Sequence, residues 1–217
     1  MKALSMITCK RRTLFAALAG VFLSATVSGA PAHADIESEA DTFLTQMGTR
    51  AISELADTSA DEAQRVQRFR TLLDESIDLR LVAQQVLARY WRAASEQERN
   101  EFTIAMRETL IVRFLPIFDG YKGETFDVVS TRTSTRNPNV VGAVTNVITP
   151  GGDVARIEWF LRKVGGGLLI YDFSAEGIRL TTSLQEEYAS VLRDNGGNVA
   201  DLTRRMEATL PATAVLE

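Results

Sequence analysis

The segment DVARIEWFLRKVGGGLLIYDFS, residues 153–174, decides the fold. In its first half Ala155, Ile157, Trp159 and Leu161 alternate with Arg156, Glu158 and Arg162, and Phe160 breaks the pattern. A period of two marks a strand with one face covered and the other largely wet. Gly165-Gly166-Gly167 then turns the chain, and a second run, 167–174, follows at once. Connections this short join antiparallel neighbours. Upstream, 139–149 and 124–134 read as two further strands. The turn-rich segments Asn137-Pro138-Asn139 and Pro150-Gly151-Gly152-Asp153 separate the three runs.

Before residue 120 the period is that of a helix. Ile36, Ala40, Phe43, Leu44, Met47, Ala51 and Leu55 form one stripe over 36–56. Val66, Phe69, Leu72, Leu73 and Ile77 form a second over 61–77, and Leu79, Val82, Ala83, Val86, Leu87, Tyr90 and Trp91 continue without a slip. Ser95-Glu96-Gln97-Glu98 is a capping box opening a helix to about Phe118, whose last turn Pro116 ends or kinks. Two more helices, 182–194 and 198–210, close the chain. The fold class expected is α+β: helices packed on one face of a curved, mainly four-stranded antiparallel sheet.

The 217 residues are 45% hydrophobic and 24% charged, a globular composition. Residues 1–34 hold Lys2, Lys10, Arg11 and Arg12, an apolar run Leu14–Val27, and Ala32-His33-Ala34 before Asp35. That is the three-part pattern of a secretory signal peptide, too short in its apolar part to span a membrane. The expected mature chain is a single exported domain, 35–217. Losing the four basic residues takes the formal net charge from −4 to −8. An acidic chain without a basic stripe excludes nucleic acid as a partner. Cys9 and His33 are the only cysteine and histidine. Their loss with the leader excludes disulfides, thiol and imidazole catalysis, and Cys/His metal sites. No metal, cofactor or catalytic residue is expected.

The remaining candidates are carboxylates and rings. Asp172 and Glu176 are spaced for acid–base work, but a strand end and a turn explain them as well. Tyr90, Trp91, Phe114, Phe118, Tyr121, Trp159, Tyr171 and Phe173 are concentrated where helices meet the sheet. Periodicity does not separate a filled core from a hollow one. Three readings therefore stay open on the residues alone: a container for an apolar molecule, a small carboxylate enzyme, and an interaction module with a solid core.

Three blocks resemble a known family. Val86-Leu87-Ala88-Arg89-Tyr90-Trp91-Arg92-Ala93-Ala94-Ser95 is close to the "LG-x-x-W-R-x-A-S/T" segment of the MlaC family, the phospholipid-binding component of the Mla (toluene-tolerance) ABC lipid-transport system. Gln97-Glu98-Arg99 with Phe102 and the helix after it is the second block. The third, Leu169-Ile170-Tyr171-Asp172-Phe173-Ser174-Ala175-Glu176-Gly177-Ile178, resembles that family's "W-x-I-Y-D-V-x-V-E-G-V-S" strand and turn. Ala88 stands where the family usually has glycine, Arg179 where serine is frequent and Gln185 where arginine is common; Leu168 lies near the usual tryptophan.

The resemblance implies a soluble periplasmic shuttle, not an enzyme. It would carry phospholipid, or in one branch of the family a hopanoid, in an apolar cavity between sheet and helices. The implied partners are an inner-membrane ABC lipid transporter complex and an outer-membrane lipoprotein/porin complex. Under it, the lipid-binding residues expected are Val86, Tyr90, Phe114, Val144, Ile157, Trp159, Leu169 and Tyr171, with Tyr90 and Tyr171 at the mouth.

Overall fold

The computed structural model of the chain describes residues 32–57 and 59–211. The basic start and apolar run of the expected signal peptide lie outside the described residues. Ala32–Ala34, the expected cleavage site, begin the first helix. Among the described residues, no helix is long and apolar enough to cross a membrane.

The helices are α1 (Ala32–Leu55), α2 (Glu62–Ser76), α3 (Leu79–Leu87), α4 (Arg89–Ala93), α5 (Glu96–Phe114), α6 (Leu180–Asp194) and α7 (Val199–Glu207). Between α5 and α6 run a 3-10 helix (Leu115–Gly120) and strands β1 (Thr125–Thr133), β2 (Val140–Ile148), β3 (Val154–Val164), β4 (Gly167–Ala175) and β5 (Ile178–Arg179). Short polar side chains start the helices. Asp61 accepts from Gln64 N at 2.7 Å and Asp78 from Leu81 N at 3.0 Å. Ser95 and Glu98 exchange the two bonds of the expected capping box, at 3.2 and 2.7 Å. The Ser95 N–H holds the Glu98 carboxyl below its ordinary range.

The apolar stripe that reads as continuous from Leu79 to Trp91 breaks at Ala88. That residue has φ 49° and ψ −116°, the first-corner geometry of a mirror-image type II turn, where glycine is favoured. An alanine held there costs about 1–3 kcal/mol of strain. Glycine would relieve the strain and give back about 0.5–1 kcal/mol through the freer unfolded chain. Ala88→Gly should therefore stabilise the protein by about 1 kcal/mol. The urea midpoint should rise at unchanged slope. An unchanged or lower midpoint would contradict the strain. Pro116 acts as expected: α5 ends at Phe114 and the chain tightens into the 3-10 helix.

The sheet is fully antiparallel, in the order β1-β2-β3-β4-β5. The two-residue β5 adds a fifth strand to the four read from the sequence. Two bulges interrupt the pairing. Phe160 lies opposite Asp172 but Leu161 opposite Ile170, so Tyr171 is an extra residue in β4. Val129 is likewise extra in β1. An extra residue exchanges the two faces of a strand beyond it.

Two apolar clusters hold the fold. In one, Ile36, Ala40 and Leu44 of α1 cover Val141, Ala143, Leu161, Leu168 and Ile170 of the sheet. In the other, α2, α3, α5, α6 and α7 bury Phe69, Leu87, Phe102, Met106, Ile111, Leu184, Leu192 and Leu202 among one another. The guanidinium groups of Arg80 and Arg99 each lie 5.3 Å from the centre of the Trp91 ring. Inside the helical layer, Glu108 is fully buried. It accepts from Arg70 Nε and Nη2 at 2.9 and 2.7 Å and from Arg107 Nε at 2.9 Å. The Glu108 carboxylate holds the Arg70 guanidinium above its already high ordinary value. Arg65 ties three elements together, donating to Leu55 O at 2.8 Å and to Asp119 of the 3-10 helix at 2.6 Å.

Candidate functional site

The two apolar clusters do not close on each other. Met47 of α1 and Ile77, between α2 and α3, pack against both, and beside them lies a cavity of about 300 Å³. Its helical wall is built from Phe69, Leu72 and Leu73 of α2, Leu110 and Phe114 of α5, and Ile117 and Phe118 of the 3-10 helix. Met47, Gly48, Ala51 and Ile52 of α1 form one side. The sheet wall is Phe126, Val147, Ile157, Trp159, Ile170, Phe173 and Ala175. Tyr121, Ser76, Ile77 and Leu180 complete it, and no lining residue is charged.

The sequence leaves this space apolar in a specific way. Phe126, Trp159, Phe173 and Phe114 form a run of rings with centres 6.5, 5.5 and 5.9 Å apart. Phe69, Phe118 and Tyr121 form a second, at 5.9 and 5.1 Å. Stiff rings meeting edge to face or offset make walls that hold their shape. The Trp159 indole N–H donates to Thr145 Oγ1 at 2.8 Å, so its one polar group is already bonded within the sheet. Burial pushes the Tyr121 phenol up from its ordinary value.

The wall is fastened where a charge serves it. Asp78 takes the Arg162 guanidinium, with Nε at 2.5 Å, while its own N–H donates to Ile170 O at 2.8 Å. Ile77 makes a parallel bridge with Ile170. The corner between α2 and α3 is thereby bound to β4, and Ser76, Ile77 and Ile170 become one stretch of lining.

Of the residues expected from the sequence, Phe114, Ile157 and Trp159 lie together on this cavity. The other five do not. Val86 is 2% exposed and packs in the helical core. Tyr90 lies against Gly197, in the turn between α6 and α7, where an added Cβ would come within 2.9 Å of its ring. Val144 pairs with Ser130 and Glu158 on the sheet face away from the helices. Leu169, opposite Arg162, is on that same outer face. Tyr171 is the bulged residue, its ring 6.3 Å from that of Phe160. Strict alternation carried inward from Phe173 puts Leu169 and Tyr171 on the wrong face; the bulge hands those places to Leu168 and Ile170. The missed lining of α2, Phe69, Leu72 and Leu73, is present in the sequence as a helical stripe. Nothing in a stripe tells a hollow from a packed neighbour.

The carboxylate candidate has a different role. Asp172 is 2% exposed and accepts from Arg179 Nε at 2.6 Å, Thr181 Oγ1 at 2.6 Å and Thr181 N at 3.2 Å. With Phe173 N as a fourth donor at 2.9 Å, its two oxygens are fully engaged, and it pins the start of α6 to β4. Among the described residues no group of His, Cys, Asp and Glu is arranged to hold a metal. Arg113 pairs with Glu187 at 2.9 Å.

Comparison with known proteins gives two findings. The sequence model of the MlaC protein family matches residues 45–208. A solved structure from Ralstonia solanacearum, described as a phospholipid-binding protein in complex with a phospholipid, is similar in fold at a TM-score of 0.63. The two share 17% sequence identity, and the match covers 82% of this chain and 96% of that one.

Proposed function

The chain belongs to the MlaC family, and from that premise we propose that residues 35–217 form a single periplasmic carrier domain that shelters the acyl chains of a phospholipid. The observation that carries this reading is the cavity of about 300 Å³ with no charged residue in its lining. It falls at the small end of ligand pockets, which run from about 300 to 1,000 Å³. It suits a length of hydrocarbon better than a polar metabolite, which would leave its hydrogen bonds unmade there.

The physical need for such a carrier is large. Two acyl chains hold about thirty methylenes, and each costs about 0.8 kcal/mol to expose to water. Free transit thus costs more than about 20 kcal/mol. A carrier lowers that barrier by matching the bilayer interior, and it releases its cargo because it does not greatly exceed it. Its aromatic walls supply contact without a polar hook. In this reading the signal peptide delivers the chain to the periplasm. Direction comes from an inner-membrane ABC transporter complex and an outer-membrane lipoprotein/porin complex, between which the chain shuttles.

Protein purified without detergent should fly in native mass spectrometry with one lipid-sized mass bound. Organic extraction should return phospholipid. A hopanoid in the extract would keep the carrier and replace the cargo, while an extract free of any lipid would overturn the reading.

A further inference from the structure

Gly48 lies well inside α1, at a helical position where no unusual backbone angle calls for glycine. Glycine weakens a helix there relative to alanine. The reason for it is across the gap. A Cβ on residue 48 would sit 2.5 Å from Phe126 Cγ and 2.7 Å from Phe126 Cε1, inside any real contact distance. The Phe126 ring therefore lies directly on the α1 backbone.

Both residues line the cavity. Gly48 continues the stripe of Ile36, Ala40 and Leu44 that holds α1 to the sheet. The end of α1 is fixed as well, by Arg65 on the Leu55 carbonyl. α1 thus has little freedom to back away. Phe126 is held on β1 opposite Val147, with its ring 6.5 Å from that of Trp159. The open direction left to a displaced ring is into the cavity.

We propose that Gly48 sets the length of hydrocarbon this cavity accepts, by letting the Phe126 ring lie flat on α1 instead of across the space. The inference rests on the carrier reading above. Gly48→Ala drives the ring inward and shortens the site. Phe126→Ala removes the ring and lengthens it. In the double variant the added methyl meets no ring, and the length preference returns to that of the wild type or longer.

The test uses two probes on refolded, delipidated protein. One is a series of phosphatidylglycerols from dilauroyl to distearoyl, offered as an equimolar mixture and read by native mass spectrometry. The other is the apolar dye 1-N-phenylnaphthylamine, read by fluorescence. With Gly48→Ala, the bound ratio of distearoyl to dilauroyl lipid should fall about tenfold, the effect of excluding about two methylenes. Dye affinity should fall about fivefold. Gly48→Ala/Phe126→Ala should reverse both losses, which a generally damaged helix would not do. Equal length preference and equal dye affinity in wild type and Gly48→Ala would overturn the proposal, and so would losses that the double variant fails to reverse. A wild type that takes the dye but none of the lipids would overturn the carrier reading, while the dye series would still decide the role of Gly48.

Discussion

Trp159→Asp is expected to strip lipid from the purified protein while leaving the domain folded. The indole stands between Phe126 and Phe173 and forms the centre of the sheet wall. A carboxylate in its place removes ring contact and puts a charge into an apolar space, where an unpaired ion costs several kcal/mol after relaxation. With the cavity empty, water hydrates the charge; with lipid present it does not. The penalty therefore falls on the loaded form. Affinity should drop at least a hundredfold, equivalent to about 2.7 kcal/mol. Trp159→Phe is the control. It keeps an apolar ring in the wall, and the lost hydrogen bond to Thr145 costs about 1 kcal/mol in stability. Lipid recovered from Trp159→Asp in the wild-type amount would remove Trp159 from the site.

The largest loss of stability should come from a residue that touches no cargo. Glu108 is fully buried and carries Arg70 and Arg107, whose side chains are each 18% exposed. Glu108→Ala leaves both guanidinium groups in place without their shared acceptor. Breaking a buried pair from one side costs about 3–5 kcal/mol. Arg107 keeps Asp74 at 3.0 Å, so most of that cost belongs to Arg70. Urea denaturation of Glu108→Ala measures it. The double variant Arg70→Met/Glu108→Met, which buries no unpaired charge, should recover more than half of the loss. A drop below about 1 kcal/mol for Glu108→Ala would show that water reaches the site and does the work of the carboxylate.

The fold was legible in the sequence because its signals are local. The alternation over Ala155–Leu161, the turns after each strand and the Ser95–Glu98 box each fix a few residues without reference to the rest. The cavity is a different kind of object. It arises where one stripe of α1, one of α2 and the inner face of the sheet fail to meet, and no single stripe carries that information. Ile157 and Trp159 could be placed because β3 alternates cleanly. Val144 is hard to place from sequence because β2 has valines in both phases, with Val141 and Val147 inward and Val140 and Val144 outward. Leu169 and Tyr171 fall away from the cavity because one residue is inserted in β4. Val86 and Tyr90 sit in a block quoted for its resemblance. Its Trp91 is buried among helices and arginines, away from the cavity. The break at Ala88 lies inside an unbroken apolar stripe, and periodicity carries no sign of it.

The corner bound to β4 has a second consequence. Ile77 and Asp78 occupy the backbone of Ile170 on the side away from β3, and β5 occupies Ser174 and Ala175. At these points the margin of the sheet is already paired and offers no template to another molecule's extended backbone. The opposite margin, β1, is bent by the extra Val129 and carries Asp127 and Arg132, which resist flat stacking. Both margins of the sheet thus discourage edge-to-edge pairing between copies of the chain.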